Sequence, residues 1–457
     1  MSRPIRLNAF AMNCVGHLAP GLWAHPRDQS HRYRELTYWM DLARLLEQGL
    51  FDALFLADVN GIYDVYGGKP DTAIRNAVQV PVNDPLQIVP AMAAVTRHLG
   101  FGITCSTASE HPFPFARRMS TLDHLTGGRA AWNIVTSFLA SGAKSLGQDR
   151  LTAHDDRYAY ADDYLDVCYK LWEESWADGA VIADKARGIY ADPALVRPVQ
   201  HQGPHFTVEG IHLSEPSPQR TPVLFQAGAS GRGRLFAATH AECVFIGGPS
   251  RTVLKGYVKA IREQAAALGR DPRDLVIYNL HTVILGRTER EAREKLEDYR
   301  AHASLEAGLA LLSGWTGIDL SQYDPDDPFR RIHTEAGQSA IDSFTSADPN
   351  KVWTIRELAQ WAALGGRGPV SVGTAASVAD ELQAWAAETG VDGFNLAFAV
   401  MPETFTDVIE HLIPELQRRG VYQTAYAEGT LRQKLFGRGD RLRSPHPAAG
   451  HRQALSA

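Results

Sequence analysis

The stretch YRELTYWMDLARLLEQGLFDALFLAD (Tyr33–Asp58) joins a segment with apolar residues at helical spacing to a short apolar run. Gly49 ends the helical segment, and Asp58 ends the apolar run. An apolar run without alternating polar residues is typical of a strand in a parallel sheet that is covered on both faces. The stretch therefore predicts a helix followed by a buried parallel strand.

Runs of this kind recur along the chain, and helix-period segments separate them. They predict eight strands: Ile5–Phe10, Ala53–Asp58, Phe101–Thr107, Ala131–Ser137, Pro222–Gly228, Cys243–Gly248, Leu275–Leu285 and Gly393–Val400. Eight strand–helix units in series indicate an α/β protein with a (β/α)8 TIM-barrel fold. In such barrels the loops after the strands build the active site.

Two segments are too long for a plain barrel. Residues 178–221 follow the fourth helix and could hold a short hairpin, and residues 309–374 follow the seventh helix. Long loops of this kind are often lids or binding loops, although packing decorations or subunit contacts are equally open. We expect one domain over residues 1–437 and a basic surface arm over residues 438–457.

Composition excludes several classes of protein. The 457 residues are 44% hydrophobic and 21% charged, with a net charge of −6, so no basic stripe suggests nucleic-acid binding. We see no signal peptide and no membrane-length apolar stretch. The cysteines (Cys14, Cys105, Cys168 and Cys243) form no CxxC pair, which favours a reducing cytoplasm. No HExxH motif is present, so a metal-dependent hydrolase is disfavoured.

Polar residues lie within or at the ends of the predicted strands. Asp58 ends the second strand, Thr104 lies in the third, and Asn133 and Ser137 lie in the fourth. Polar groups in a barrel interior need hydrogen-bond partners. A ligand above the barrel or an internal polar network could supply them.

The turn after the fifth strand, QAGASGRGRLFAATH (Gln226–His240), is the best candidate for a phosphate site. Its glycines and Ser230 lead into a helix, whose N-terminal N–H groups favour an anion. The turn lacks the GxSxG pattern of a nucleophile elbow, and no GxGxxG follows the first strand, so a dinucleotide-binding domain is not supported. A glycine-rich turn that serves geometry alone remains the alternative.

Two further groups of residues could carry chemistry. The predicted helix after the fourth strand begins near His154, Arg157 and Tyr158. These side chains could contact a phosphate on the side opposite the glycine-rich turn, or they could cap their own helix. Cys14 and His17 follow the first strand and could form a nucleophile–base pair. No third orienting residue is visible, and buried cysteines are often merely small and apolar.

Long motifs of the chain resemble the bacterial luciferase-like flavin monooxygenases, in the branch of the nitrilotriacetate, dibenzothiophene-sulfone, long-chain alkane and dimethylsulfide monooxygenases. The motifs include NAFAMNCVGH (Asn8–His17), FDALFLADVNGIYDVYGG (Phe51–Gly68), AHDDRYAYADDYLDVCYKLWE (Ala153–Glu173) and EPSPQRTPVLFQAGASGRGRLFAATHAECVF (Glu215–Phe245). The similarity extends from Ile5 to about Gly437.

The resemblance implies a cytoplasmic, homodimeric or homotetrameric two-component enzyme. A separate NAD(P)H-dependent reductase would supply FMNH2, and O2 would add to it to form a C4a-hydroperoxide that oxidises a small organic substrate. Asp58 and Ser137 would touch the flavin, while Tyr158, Ser230 and the Gly231 backbone would hold its phosphate. Thr104, Asn133 and His154 would be further FMN contacts.

The resemblance also implies a substrate side. Cys14, His17, Tyr63 and Gln79 match such positions in the alkane-oxidising relatives. With Phe138 they follow strands one, two and four, which predicts a pocket at the barrel mouth where His17 positions or protonates the peroxide. The resemblance implies that the alkane enzyme has histidines at the position of Phe138 and near the position of Leu311. An alkane, an organosulfur compound or an amino-carboxylate therefore all remain open as substrate.

Two other functional classes remain open at this point. One is a deazaflavin-dependent dehydrogenase on the same barrel, which the bound cofactor would distinguish. The other is a non-catalytic flavin-binding protein, which would consume no oxygen in the presence of substrate.

Overall fold

The eight predicted strands form a closed parallel barrel. A computed structural model describes residues 4–228, 230–330, 336, 338–345 and 351–452, so parts of the segments 309–374 and 438–457 lie outside the described residues. The barrel strands, β1 to β8, are Arg6–Met12, Ala53–Ala57, Gly100–Ser106, Ala130–Val135, Val223–Gln226, Cys243–Ile246, Val276–Leu285 and Gly393–Ala397.

Each strand pairs with the next, and β8 pairs with β1 to close the barrel. Arg6 lies opposite Gly393 at this closure, and Asn8 lies opposite Ala53 in the β1–β2 pair. The predicted (β/α)8 TIM barrel is therefore confirmed. The predicted strand ends differ by a few residues because apolar runs continue into the loops at the mouth.

Helices cover the outside of the barrel and extend over its mouth. The α-helices are Leu36–Gln48, Asp71–Arg75, Val89–Ala94, Pro112–Leu125, Ala140–Ser145, His154–Tyr169, Gly231–His240, Arg251–Ala267, Glu289–His302, Leu305–Thr316, Gln338–Phe344, Ile355–Gly365, Ala375–Thr389, Glu403–Asp407, Ile413–Arg418, Leu431–Phe436 and Pro447–Gly450. Within the described ranges, none of the helices has the length and apolar character that crossing a bilayer requires.

A ninth parallel strand, Val370–Gly373, pairs with the C-terminal half of β7. The ten residues of β7 make it longer than its neighbours, so it extends past them and offers a free edge. The segment before this strand contains helices Leu305–Thr316 and Ile355–Gly365, which pack together through a shared apolar cluster. This segment brings Trp315 and Arg367 to the mouth of the barrel.

Two small antiparallel hairpins occupy the segment before β5. Val181–Asp184 pairs with Ile189–Ala191, and Val199–Gln202 pairs with Thr207–Gly210. The side chain of His201, in the second hairpin, is held by the buried carboxylate of Asp163 at 2.9 Å.

The other end of the barrel is closed by the helix Leu431–Phe436. Leu431 and Leu435 pack among the side chains inside the barrel, and Arg432 forms a buried ion pair with Glu242 at 2.6 Å. The described part of the basic C-terminal segment lies against the same chain, where Arg441 contacts Glu173 at 2.8 Å. The packed side chains thus fill this end of the barrel, and two cavities open at the C-terminal ends of the strands.

Candidate active site at the barrel mouth

Two adjoining cavities lie at the C-terminal ends of the strands. The larger cavity has a volume of about 260 Å³, and the smaller has a volume of about 180 Å³. Residues lining both cavities are Asp58, Val59, Phe138, Ala227, Gly228, Trp315 and Arg367. One extended ligand could therefore occupy the larger cavity and reach a second molecule in the smaller one.

The larger cavity contains the N-terminus of the helix Gly231–His240. Ser230 is the N-cap residue, and its Oγ accepts a hydrogen bond from the Gly233 N–H at 3.0 Å. His154 Nε2 lies 3.2 Å from the same Oγ. The free N–H groups and the helix dipole place positive potential at this point, which favours a phosphate.

Gly228 and Gly233 let the side chains of Gln226 and Tyr158 approach the backbone at the start of this helix closely. A Cβ atom on Gly233 would lie 2.8 Å from the Tyr158 hydroxyl, and one on Gly228 would lie 2.3 Å from Gln226 Nε2. A Cβ atom on Gly231 would meet no atom within 4 Å. The glycine-rich turn thus leaves room for a ligand against its backbone, which argues against a turn that serves chain geometry alone.

The helix His154–Tyr169 supplies the opposite wall. Burial raises the pKa of Tyr158, so its hydroxyl keeps its proton and remains a donor. The Arg232 guanidinium lies 5.5 Å from the centre of the Tyr158 ring and pairs with Asp162. Arg157 holds the preceding loop through the Thr152 carbonyl at 2.6 Å. Hydroxyl, imidazole and backbone donors therefore converge on one anion-sized space.

Beneath these donors lies a polar floor. Asn133 Nδ2 donates to Thr104 Oγ1 at 2.8 Å, and the hydroxyls of Ser106 and Ser137 lie 2.7 Å apart. Ser137 has a φ of 61°, a strained conformation for a non-glycine residue that often marks functional sites. Buried oxygens of Asn133 and Gln226 lack a partner among the described residues, so a ligand with N–H or O–H donors would satisfy them.

Asp58 is the acidic residue shared by both cavities. Burial raises its pKa to about 6, and the negative charge of Asp84 adds to this effect, while the Val59 N–H opposes it. The carboxyl group therefore changes charge close to neutral pH. It can exchange a proton with a ligand at the junction of the two cavities.

A chain of neutral hydrogen bonds lines the smaller cavity. The Tyr63 hydroxyl donates to Gln79 Oε1 at 2.9 Å, and Gln79 Nε2 donates to the His17 carbonyl at 3.0 Å. Gln79 also has a positive φ of 51°. These contacts hold the loops after β1 and β2 in one arrangement.

His17 lies in the same cavity with its ring against Phe10, at 4.5 Å between ring centres. Burial lowers its pKa to about 3, so the imidazole is neutral at physiological pH. Its Nδ1 has no partner among the described residues. A neutral imidazole can position a ligand through a hydrogen bond, which supports the positioning role over protonation by an imidazolium.

Most of the predicted site residues come together here. Asp58, Thr104, Ser137, Phe138, His154, Tyr158 and Ser230 line the larger cavity, and His17, Tyr63 and Gln79 line the smaller one. Three others line neither cavity: Asn133 lies beneath Thr104, Gly231 follows Ser230 in the helix, and the Cys14 thiol contacts the Gly16 carbonyl at 3.4 Å. Burial raises the pKa of Cys14, so its thiol is a poor nucleophile.

Phe138 and Leu311, the two positions that the resemblance singled out, meet in one apolar cluster. Leu311 and Tyr63 are buried in this cluster, and Phe138 packs against it. Phe138 lines both cavities and makes their shared wall apolar, whereas Leu311 lines neither.

Sequence reasoning missed several lining residues. Gln226 ends β5, and its position at a strand end was a usable signal. Trp315 and Arg367 come from the long segment between β7 and β8, and their approach to the mouth depends on tertiary packing alone.

Comparison with known proteins agrees with this geometry. Residues 16–393 match the model of the family described as luciferase-like monooxygenase. The long-chain alkane monooxygenase of Geobacillus thermodenitrificans is 52% identical over 457 residues, covering 100% of both chains. The dimethyl-sulfide monooxygenase of Hyphomicrobium sulfonivorans is 50% identical over 455 residues, covering 99% of this chain and 95% of the relative.

A solved structure shows the same fold with a flavin in place. The crystal structure of a riboflavin lyase with modified FMN and riboflavin has a TM-score of 0.93 and 38% identity, covering 99% of this chain and 100% of that one. Members of the luciferase-like family use reduced flavin and O2. The family match, the two relatives and the closed barrel agree with the resemblance of the sequence motifs, and the chain belongs to the luciferase-like monooxygenase family.

Proposed function

We propose that this monooxygenase uses FMN, reduced by a separate NAD(P)H-dependent flavin reductase, to insert one oxygen atom of O2 into a small organic substrate. The observation that supports this most directly is the pair of adjoining cavities with a helix N-terminus at one end. An FMN phosphate fits that end, because Ser230, Tyr158 and the helix N–H groups are all donors.

The residues present fit the rest of the flavin as well. Buried oxygens of Gln226 and Asn133 need donors, and Phe138 and Trp315 offer flat apolar faces where the two cavities meet. The reduced flavin, when bound, supplies the activation of O2. Asp58 lies at the junction of the cavities and can hold or release a proton there.

The smaller cavity suits the substrate. Tyr63 and Gln79, which are joined by neutral hydrogen bonds, orient the substrate. His17 positions the reacting atoms, and Phe138 excludes water from them. The relatives are named for an alkane and for dimethyl sulfide, and the apolar side chain of Phe138 lines this chain's own pocket.

A reconstitution experiment tests the proposal. The purified chain is combined with FMN, NADH, an unrelated flavin reductase and a panel of alkanes, sulfides, sulfones and amino-carboxylates. We expect substrate-dependent oxygen consumption and a product that carries one 18O atom from 18O2. Reduction of a deazaflavin by the chain, without oxygen incorporation, would instead identify a dehydrogenase.

A further inference from the structure

Arg367 lies where the two cavities meet, between the helix Ile355–Gly365 and the strand Val370–Gly373. Its guanidinium carbon lies 5.6 Å from the centre of the Trp315 ring. Across the described ranges of the chain, no carboxylate pairs with this guanidinium and no hydrogen bond reaches it. Burial lowers the pKa of Arg367, and the nearby side chains of Tyr257 and Tyr63 oppose that effect.

By comparison, three arginines that are more deeply buried than the half-buried Arg367 have partners. Arg432 forms an ion pair with Glu242 at 2.6 Å, and Arg270 donates to the Ala238 carbonyl at 2.6 Å. Arg129 donates to the Leu99 carbonyl at 3.0 Å and to other oxygens. An arginine stays protonated in proteins, and a charge removed from water without a partner is costly. Among the residues that the structure describes, the half-buried Arg367 therefore lacks a counterion, and a ligand could provide one.

The smaller cavity leaves room for such a ligand. Its apolar walls include Phe10, Phe245 and Leu280, and its hydrogen-bonding groups at Tyr63, Gln79 and His17 are neutral. Asp58 is the other charged residue in its lining, and its pKa is set by burial, Val59 and Asp84 rather than by Arg367. Asp58 therefore does not neutralise the guanidinium.

We propose that Arg367 binds the carboxylate of an organic-acid substrate, whose apolar part lies against the aromatic wall of the smaller cavity. This inference rests on the proposed function and assigns it a substrate class: small amphiphilic acids. A guanidinium presents two parallel N–H donors to a carboxylate. The Trp315 ring lies against the Arg367 guanidinium and helps to hold its orientation. The cavity volume of about 180 Å³ is below the range of about 300–1,000 Å³ for drug-sized ligands, which fits a small acid.

The flavin phosphate is not the expected partner of Arg367. Ser230 and Tyr158 line only the larger cavity, whereas Arg367 also lines the smaller one beside His17 and Gln79. The flavin ring is the remaining competitor, because it would lie where the cavities meet. The experiment therefore has to separate a substrate carboxylate from a flavin contact.

The test is a binding titration with the full chain, with and without oxidised FMN. The probes are straight-chain monocarboxylates from acetate to octanoate and the alcohols of equal length, followed by calorimetry and by tryptophan fluorescence. We expect at least one acid to bind about 10- to 100-fold more tightly than its alcohol, the range for a charge-assisted hydrogen-bonded pair. Arg367→Met should abolish that preference, and Arg367→Lys should retain part of it.

Two controls decide what a change means. In the titration without FMN, Ser230→Ala should leave the acid affinity unchanged, because Ser230 lines only the larger cavity. Arg367→Met should leave the affinity for oxidised FMN unchanged. The inference is overturned if no acid binds better than its alcohol, if Ser230→Ala rather than Arg367→Met removes acid binding, or if Arg367→Met weakens FMN instead of the acid. Because the titration measures no oxygen transfer, failure of the proposed monooxygenase reaction is detected separately.

Discussion

Two neighbouring hydroxyl groups line the larger cavity at the N-terminus of the helix Gly231–His240. Ser230 caps the helix Gly231–His240, and Tyr158 projects from the neighbouring helix. We predict that Ser230→Ala and Tyr158→Phe each weaken FMN binding by about 1–3 kcal/mol, the range for a hydrogen bond to a charged group. Fluorescence titration of FMN measures both effects.

The matched control for this pair is Thr239→Ala. Thr239 lies in the same helix, is half-buried, lines neither cavity and donates to the Leu235 carbonyl at 2.9 Å, so Thr239→Ala removes a hydroxyl away from the cavity. Ser230→Ala also removes an N-cap, which costs about 1 kcal/mol of stability. The titration is therefore run far below the melting temperature. FMN curves that match the wild type for both cavity variants would remove the phosphate-site assignment.

The raised pKa of Asp58 predicts that the free energy of unfolding depends on pH. Its folded pKa of about 6 is above the usual 3.8, so the folded chain binds this proton more tightly than the unfolded chain. The contribution of Asp58 to stability is therefore lost as the pH rises from about 4 to 6. The Asp58→Asn variant has no carboxyl group at this position and does not show this loss. Its free energy of unfolding, minus that of the wild type, should therefore be greater at pH 7 than at pH 4 by about 1–3 kcal/mol.

Urea unfolding of both proteins at the two pH values measures this difference. The comparison cancels any constant effect of the amide, because only the change between pH 4 and pH 7 is attributed to the carboxyl group. A constant difference between the variants across this range would show that the pKa of Asp58 is not raised.

The position of His17 leads to a prediction about coupling, the fraction of NADH-derived electrons that ends in product rather than in hydrogen peroxide. The neutral imidazole lies in the cavity assigned to substrate, away from Ser230 and Tyr158. His17→Ala should therefore raise the fraction of NADH-derived electrons that is released as hydrogen peroxide, while FMN affinity is preserved. His17→Gln keeps a neutral N–H donor and should restore part of the coupling. Peroxide release is measured against product formation. Unchanged ratios in both variants would place the reacting atoms elsewhere.

At the scale of elements, the helix Leu305–Thr316 approaches the loop after β2 at a glycine. A Cβ atom on Gly314 would lie 2.0 Å from the ring of Tyr63, which is fully buried and donates to Gln79. We predict that Gly314→Ala destabilises the fold by about 1–3 kcal/mol, because overpacking outweighs the gain in helix propensity. Thermal or urea unfolding measures the change.

Gly256→Ala is the matched control. Gly256 lies inside the helix Arg251–Ala267, and a Cβ atom there would meet nothing within 4 Å. Alanine at that position should stabilise the chain by up to about 1 kcal/mol, because only helix propensity changes. If the two substitutions shift stability in the same direction, the contact between Tyr63 and this helix is not tight.

The elements that sequence predicted well are those whose pattern is local. Barrel strands read as apolar runs because both faces are covered, and the glycine-rich turn after β5 leads into a helix that Ser230 caps, as its sequence indicates. Strand Val370–Gly373 was not predicted. It forms because β7 extends beyond its neighbours and offers an edge, and the pattern of the segment itself does not encode that edge.

The same distinction explains the site. Asp58, Tyr158 and Ser230 follow strands or open helices, so their place at the mouth is a consequence of barrel topology. Trp315 and Arg367 reach the mouth through the packing of the segment between β7 and β8. Contacts between residues so distant in sequence depend on the whole fold, and single-sequence patterns do not contain them.

At the scale of the whole molecule, the larger cavity of the barrel lies against the N-terminus of the helix Gly231–His240, beside Gly228 and Ser230. No GxGxxG motif follows β1 to receive a dinucleotide. We predict that the pure chain, given FMN and NADH, does not oxidise NADH above the background rate. Adding an unrelated flavin reductase should start turnover, because free reduced FMN can diffuse between the two proteins.

Separating the two proteins by a dialysis membrane makes this prediction strict. Product should still form when the reductase is confined to one side and NADH and FMN exchange freely, at a rate lowered by the reoxidation of reduced FMN in transit. Ser230→Ala, with its weakened phosphate site, should need more FMN to reach the same rate, whereas Thr239→Ala should not. Rapid NADH oxidation by the chain alone would mean that it binds the nicotinamide itself, and the large cavity would then have to accommodate a second nucleotide beside Ser230.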